Sequence, residues 1–216
     1  KLGNTILLRY LKNAKYVKNA AAQKERRKFL AMVDIFRKYG ARYDVDWLLM
    51  AAQGYQESRL NQSVRSHVGA IGVMQVMPRT GKELKVGDIS KLDPNIHAGV
   101  KYMRWMIDHY YGDEPMTRLD KALFSFASYN AGPARIARLR TETSKRGFNP
   151  DIWFGNVEYL AAEKIGSETV TYVSNIYKYY IAYRLIVDEM ARKQKATTQS
   201  NSPATPAGEQ AAPATP

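Results

Sequence analysis

Over most of the chain between Gln23 and Lys193, apolar side chains return at spacings of three and four, and Pro or Gly punctuates the joins. That rhythm belongs to helices with one buried face, and a chain built from it must pack helix on helix. Phe29, Met32, Val33 and Phe36 mark the first such face, from Gln23 to Tyr39, with Gly40 expected to end it. The face needs a partner, so it is expected to pack on the main domain. Asp44 or Asp46 can cap the next helix, whose stripe of Trp47, Leu48, Ala51, Ala52 and Tyr55 leads to Glu57 and Ser58. Pro78 and Pro94 each sit where a first helical turn accepts proline, and the second of these helices is expected to stop at Gly112. Thr117 to Gly132 and a shorter helix from Pro133 follow; 141–156 reads as loop and 156–166 as weakly helical. A last long helix from about Ser167 to Lys193 buries Val170, Val173, Ile176, Tyr177, Tyr180 and Ile181.

Residues 61–77 break the rhythm. Gly69 and Gly72 alternate there with the β-branched Val64, Val68, Ile71 and Val73, which predicts a small irregular β element or loop. The expected fold class is therefore α+β, predominantly helical. Three regions are expected: a basic helical leader or linker at 1–42, one main domain at 43–193, and an Ala/Thr/Pro-rich tail at 194–216. The tail can bury too little to offset its ordering entropy and is expected to be disordered.

The formal net charge is +13, but residues 1–42 hold 12 Lys+Arg against 2 Asp+Glu, while the other 174 residues hold 21 against 18. The basicity thus belongs to the leader. Lys12, Lys15 and Lys18 beside Tyr10 and Tyr16 could meet phosphate, and a solvated or envelope-facing helix explains them as well. Nucleic acid is not the partner this composition favours. The longest apolar run, Trp47 to Ala52, is far short of the ~20 residues of a membrane span, so no transmembrane segment is expected. The chain begins at Lys1, which suits a fragment or processed product. It contains no cysteine, which excludes disulfide and thiol chemistry and fits an oxidising compartment. Cysteine-free cytosolic proteins are common too, so composition alone leaves the compartment open.

His67, His97 and His109 lack metal-ligand spacing, and neither a phosphate-cradling GxxxxGK[ST] nor a GxGxxG motif is present, so no metal or cofactor is implied. A serine nucleophile would need remote partners without a GxSxG elbow. Glu57 stands apart. It ends an apolar helix, faces a Gly-rich loop, and none of the 25 positions after it carries an acid. Desolvation there would raise its pKa and let it donate a proton to a leaving oxygen. The alternative is a helix-end Glu open to water or paired with Arg59 or Arg65.

The stretch "ESRLNQSVRSHVGAIGVMQVMPRT" resembles the Glu-Ser, Gly-Leu-Met-Gln and Met-Pro-x-Thr signature of family 1 lytic transglycosylases, the soluble lytic transglycosylase type of lysozyme-like domain. "SYNAGP" (Ser128 to Pro133) is similar to that family's Tyr-Asn-Ala-Gly-Pro motif, and "SETVTYVSNI" (Ser167 to Ile176) to its Glu-Thr-x-x-Tyr-Val motif. The likeness covers about residues 40–190. It implies a lysozyme-like fold with Glu57 as catalytic acid and base, and with Ser66, Gly72, Gln75, Met77 and Thr80 on the loop lining a sugar cleft. Tyr129 and Asn130 would face the scissile bond, Glu168 would bind sugar, and Tyr172 would stand beside the catalytic group. Val73 in place of Leu, Gln62 in place of Pro and Gly81 in place of Ala depart from the pattern without removing a reacting group.

The resemblance further implies peptidoglycan glycan strands as partner, a bacterial periplasmic location with outer-membrane association in the parent protein, and a covalently linked N-terminal regulatory domain. It also answers how one acid can suffice. Two-carboxylate glycosidases use the second group as nucleophile or to activate water; here the sugar's own C6 hydroxyl would attack C1 and yield a 1,6-anhydro end. A lysozyme-like hydrolase using Asp88 or Asp93, and a non-catalytic peptidoglycan-binding module, are the competing expectations.

Overall fold

A computed structural model describes residues 23–200, with side chains to residue 194. The basic segment 1–22 and the tail 201–216 lie outside the described residues, and the expectations placed on them lie there too. The described chain is helical almost throughout: α1 Gln23–Tyr43, α2 Trp47–Ser58, α3 Pro78–Leu84, α4 Leu92–Tyr111, α5 Arg118–Ala131, α6 Pro133–Lys145, α7 Glu158–Ile165 and α8 Ser167–Ser200. A wide turn at Trp153–Val157 precedes α7, with Phe154 extended and Gly155 left-handed.

The long helix α8 is the spine. It packs against α2, α5 and α7, and α1 closes over α2 and α4. Val173, Ile176, Tyr179 and Tyr183 of α8 are buried along this seam. The predicted face of α1 packs on the domain as expected: Phe29 is fully buried, with its ring stacked on Tyr183 at 4.0 Å between centroids. Gly40, however, does not end that helix, which continues to Tyr43. A side chain at 40 would bring its Cβ within 2.7 Å of Trp47 Cβ and 2.9 Å of the Val45 carbonyl, so the glycine serves the close approach of α1 to α2.

Asp46, not Asp44, caps α2, accepting the Leu48 N–H at 2.9 Å. Asp44 instead pairs with Arg118 at 2.6 Å. At the other end of α2, Arg59 and Leu60 both take left-handed backbone (φ 56° and 54°), so the chain reverses directly after Glu57 and Ser58. The Ser58 hydroxyl then pins the returning loop, lying 2.9 Å from the Val73 carbonyl and accepting the Asn61 N–H at 3.1 Å.

Pro78 opens α3 as expected, and Pro94 lies in the first turn of α4. The Thr117 hydroxyl caps α5, and Gly132 ends it. Helix α6 runs to Lys145, so the loop expected from 141 begins later. Thr143 is buried in that last turn, its hydroxyl bonded to the Leu139 carbonyl at 2.8 Å. Helix α8 passes its expected end at 193.

The predominantly helical class holds; the expected β element is corrected. Among the described residues 61–77 form no strand, only the isolated bridges Arg65 to Ile71 and Ile71 to Val76. Left-handed Gly72 (φ 78°) and Gln75 (φ 46°) interrupt any extended course. Side-chain amides then take the backbone partners that a ladder would have supplied: Asn95 accepts the Met74 N–H at 2.8 Å, and Gln62 accepts the Val73 N–H at 3.1 Å.

Candidate functional site

Helix α2 turns polar only in its second half, at Gln53 and then Gln56 to Ser58. Glu57, in the last turn, is half-buried and faces α8. The buried Tyr172 hydroxyl donates to Glu57 Oε1, and Gln53 Nε2 donates to the same phenolic oxygen at 3.3 Å. Burial pushes the Glu57 carboxyl up to about 6 even though the Tyr172 hydrogen bond pulls the other way. Burial and the nearby Glu57 charge push the Tyr172 phenol well up, so it keeps its proton and remains a donor. Neither Arg59 nor Arg65 pairs with Glu57. Arg59 donates to the Tyr179 hydroxyl at 3.0 Å with its guanidinium over the Tyr55 ring, and Arg65 bonds the Gln62 and Val64 carbonyls.

Beside this cluster lies an open groove of about 320 Å³. Gln53 from α2, Gln75, Met77 and Thr80 from the loop and α3, Tyr102 from α4 and Tyr129 from α5 line it, and no acidic residue does. Met77 is exposed at its rim. The Tyr129 hydroxyl donates to the Gln75 carbonyl at 3.2 Å, and the Gln75 amide returns to the Gly72 carbonyl at 2.8 Å. Burial, then the charge of Glu57, raises the Tyr129 phenol, which ties the groove wall electrostatically to Glu57. Below the loop, the fully buried Asn95 donates to the Ile71 and Ile89 carbonyls. A Cβ on Gly72 would stand 2.6 Å from that amide nitrogen and 2.5 Å from Gln62 Nε2, so only glycine lets the loop settle on these two side chains.

The other sequence-predicted residues, Ser66, Asn130 and Glu168, lie outside the groove lining. Ser66 accepts the Ala70 N–H and closes the loop tip. Asn130, exposed at the end of α5, accepts the Thr169 hydroxyl of α8 at 2.7 Å. Glu168 is exposed in the first turn of α8 and lies outside the groove lining. Sequence reasoning missed Gln53, Tyr102, Asn95 and Thr169. Only Gln53 left a signal, as a polar residue set four before Glu57 on a face that is otherwise buried.

A larger hollow of about 500 Å³ opens at the other end of α2, around Asp46, Leu49, Arg118 and Tyr180. Its charged groups are already engaged: Arg118 pairs with Asp44 and holds that carboxyl below its usual range, Arg104 pairs with Asp108 outside the lining, Lys121 donates to the Gly112 carbonyl, and Asp46 accepts the Leu48 N–H. Volume alone therefore does not single out this hollow; the raised carboxyl makes Glu57 the candidate reactive group. Asp93 and Asp88 do not line the groove either. Asp93 accepts from Tyr39 at 2.5 Å and Lys38 at 3.1 Å, and Asp88 accepts the Ser90 N–H at 2.9 Å. Among the described residues no cluster of three His, Asp or Glu could hold a metal ion.

A helical body that sets one partly desolvated carboxyl beside an open groove that no acid lines defines a single-acid groove domain. Residues 34–152 match the transglycosylase SLT domain family, and the chain belongs to that family. It is 33% identical over 162 residues to membrane-bound lytic murein transglycosylase F of Pseudomonas fluorescens, covering 67% of this chain and 32% of that protein. The Vibrio cholerae protein of the same name is 32% identical over 180 residues, covering 76% and 32%. The chain thus spans about a third of the length of these curated relatives. Among solved structures, an inactive mutant of the lytic transglycosylase Slt from Pseudomonas aeruginosa superposes with a TM-score of 0.56 at 26% identity, covering 72% of this chain and 24% of that one. The 70 kDa soluble lytic transglycosylase of Escherichia coli gives 0.52 at 26% identity, covering 83% and 29%.

Proposed function

We propose that this lysozyme-like module is a lytic transglycosylase that cleaves the β-1,4 bond between N-acetylmuramic acid and N-acetylglucosamine of peptidoglycan without consuming water. The observation that carries the reading is Glu57: a half-buried carboxyl raised to about 6, one helical turn from Gln53 of the groove lining, beside a groove that no acid lines. As the acid, Glu57 gives its proton to the glycosidic oxygen. The C1–O bond breaks, its electron pair leaves with that oxygen, and positive charge grows at C1. As the carboxylate, Glu57 then takes the proton of the C6 hydroxyl while O6 bonds to C1. The ring closes to a 1,6-anhydro end and the acid is restored, so atoms and protons balance. Because the attacking hydroxyl is intramolecular, its effective concentration replaces the second carboxylate.

In this reading Tyr172 steadies the Glu57 carboxylate between the two steps. Gln75, Met77, Thr80 and Tyr129 hold the glycan along the groove, and the family resemblance assigns further substrate contacts to Ser66, Gly72, Asn130 and Glu168 outside its lining. The engagement of Asp88 and Asp93 elsewhere disfavours a hydrolase built on either. Residues 43–193 would carry the catalytic groove with α1 packed against them, working in the bacterial envelope, in the periplasm and at the outer membrane within a parent protein. A covalently joined N-terminal domain belongs to the same proposal.

The test is digestion of purified peptidoglycan with mass spectrometry of the ends. Anhydro ends, one water lighter than reducing ends, are expected from the wild type. Reducing ends would establish a hydrolase, and binding without cleavage a non-catalytic module. Glu57→Gln is expected to lower turnover by roughly 10²-fold or more with the fold intact, and activity should fall as pH rises through about 6, where Glu57 loses its proton.

A further inference from the structure

We propose that Gln53 is a positioning residue for the Tyr172–Glu57 pair, holding the phenolic oxygen so that its proton stays committed to the carboxyl. The inference rests on the reading of Glu57 given above. Gln53 stands one turn before Glu57 on α2, so both side chains leave the same helix face. Its Nε2 donates to the Tyr172 oxygen, whose own proton goes to Glu57, making a chain of two donors ending on the carboxyl.

The third observation concerns the other half of the amide. Gln53 is 2% exposed, and its Oε1 is buried without a hydrogen-bond partner among the described residues. An unpaired buried acceptor works against folding. For the fold alone, an apolar side chain of similar shape, such as methionine, would serve better. What glutamine supplies and methionine lacks is the N–H to Tyr172. A hydroxyl that accepts a hydrogen bond becomes a stronger donor on its own account. The Gln53 N–H therefore strengthens the support Tyr172 gives to the carboxylate, the form in which Glu57 must collect the C6 proton.

Few groups share this control. Tyr172 faces Glu57 from α8 and Tyr129 from α5, and among the described residues no Lys, Arg, His or Asp acts on it. Loss of the Gln53 N–H should weaken stabilisation of the carboxylate and move the titration of Glu57 to higher pH.

The experiment is Gln53→Met in the full chain, read three ways: thermal unfolding, carbon-13 NMR titration of the Glu57 carboxyl assigned with Glu57→Gln, and steady-state cleavage of purified glycan. The expected result is a Tm equal to or above wild type, a Glu57 midpoint moved upward, and kcat down about tenfold with KM unchanged. An unchanged midpoint in the folded variant overturns the proposal, whatever the Tm, and leaves Gln53 a structural contact. Should the variant not fold, the wild type still decides. The Gln53 side-chain amide signals should follow the Glu57 titration and cease to do so in Tyr172→Phe; amide signals flat across that titration overturn the proposal. The NMR readouts do not depend on turnover, so absence of anhydro ends from the wild type would count against the proposed reaction alone.

Discussion

Glu57 has a consequence for folding as well as for chemistry. Its carboxyl rises from an ordinary 4.5 to about 6 in the fold, so the native state holds the proton more tightly than the unfolded chain. The contribution of this group is therefore most favourable below pH 4.5, fades between 4.5 and about 6, and stays low above that. A displacement of that size corresponds to at most ~2 kcal/mol, reduced by the solvent contact Glu57 keeps. Glu57→Gln should match the wild type in stability at pH 4 and exceed it by up to ~2 kcal/mol at pH 8, as read from urea midpoints. Equal midpoints at pH 8 would mean that the carboxylate is well hydrated, which would also remove the basis for its proposed acid role. The identity of this residue was legible because it interrupts an apolar helix before a long acid-free stretch. Gln53 was not singled out, since its place is set by Tyr172, which lies 119 positions away in the chain.

At the scale of elements, caps and faces were the readable features. Asp46 carries the start of α2, and Asp46→Ala should cost about 1 kcal/mol in a denaturation experiment. The buried face of α1 is anchored by Phe29, packed between Trp47 and Tyr183. Phe29→Ala should destabilise by about 3–5 kcal/mol, and a change under 1 kcal/mol would show that α1 is only loosely attached. The loop at 61–77 was the least readable element. Its β-branched residues suggested strand, but Gln62 within the loop and Asn95 of α4 satisfy its backbone with side-chain amides, and bonds between residues so far apart in the chain leave no local pattern. Gln62 also shows why a departure from a family pattern can be harmless: its amide bonds the Ile89 and Ser90 carbonyls, a task no proline could perform.

For the whole molecule, α1 is part of the body and not an appendage. Phe29, Met32, Val33, Phe36 and Tyr39 are all buried, and α1 rests on both α2 and α4. A chain starting at residue 43 should therefore lose cooperative thermal unfolding, whereas one starting at residue 23 should keep it. Retention of a sharp transition by the shorter chain would support the boundary at 43 expected from charge distribution alone. No described helix is long and apolar enough to cross a membrane.

The sequence by itself determined that this chain would be helical, where most helices begin, and which carboxyl would stand alone in a long stretch without acids. Those properties follow from side-chain spacing, capping chemistry and the count of acids along one stretch, all local to the chain. Only the tertiary structure decided that Tyr172 and Gln53 would converge on that carboxyl, that Asp88 and Asp93 would be engaged elsewhere, and that the loop would rest on buried amides. These outcomes depend on how helices distant in sequence pack, and burial raises the carboxyl only after that packing has excluded water from it.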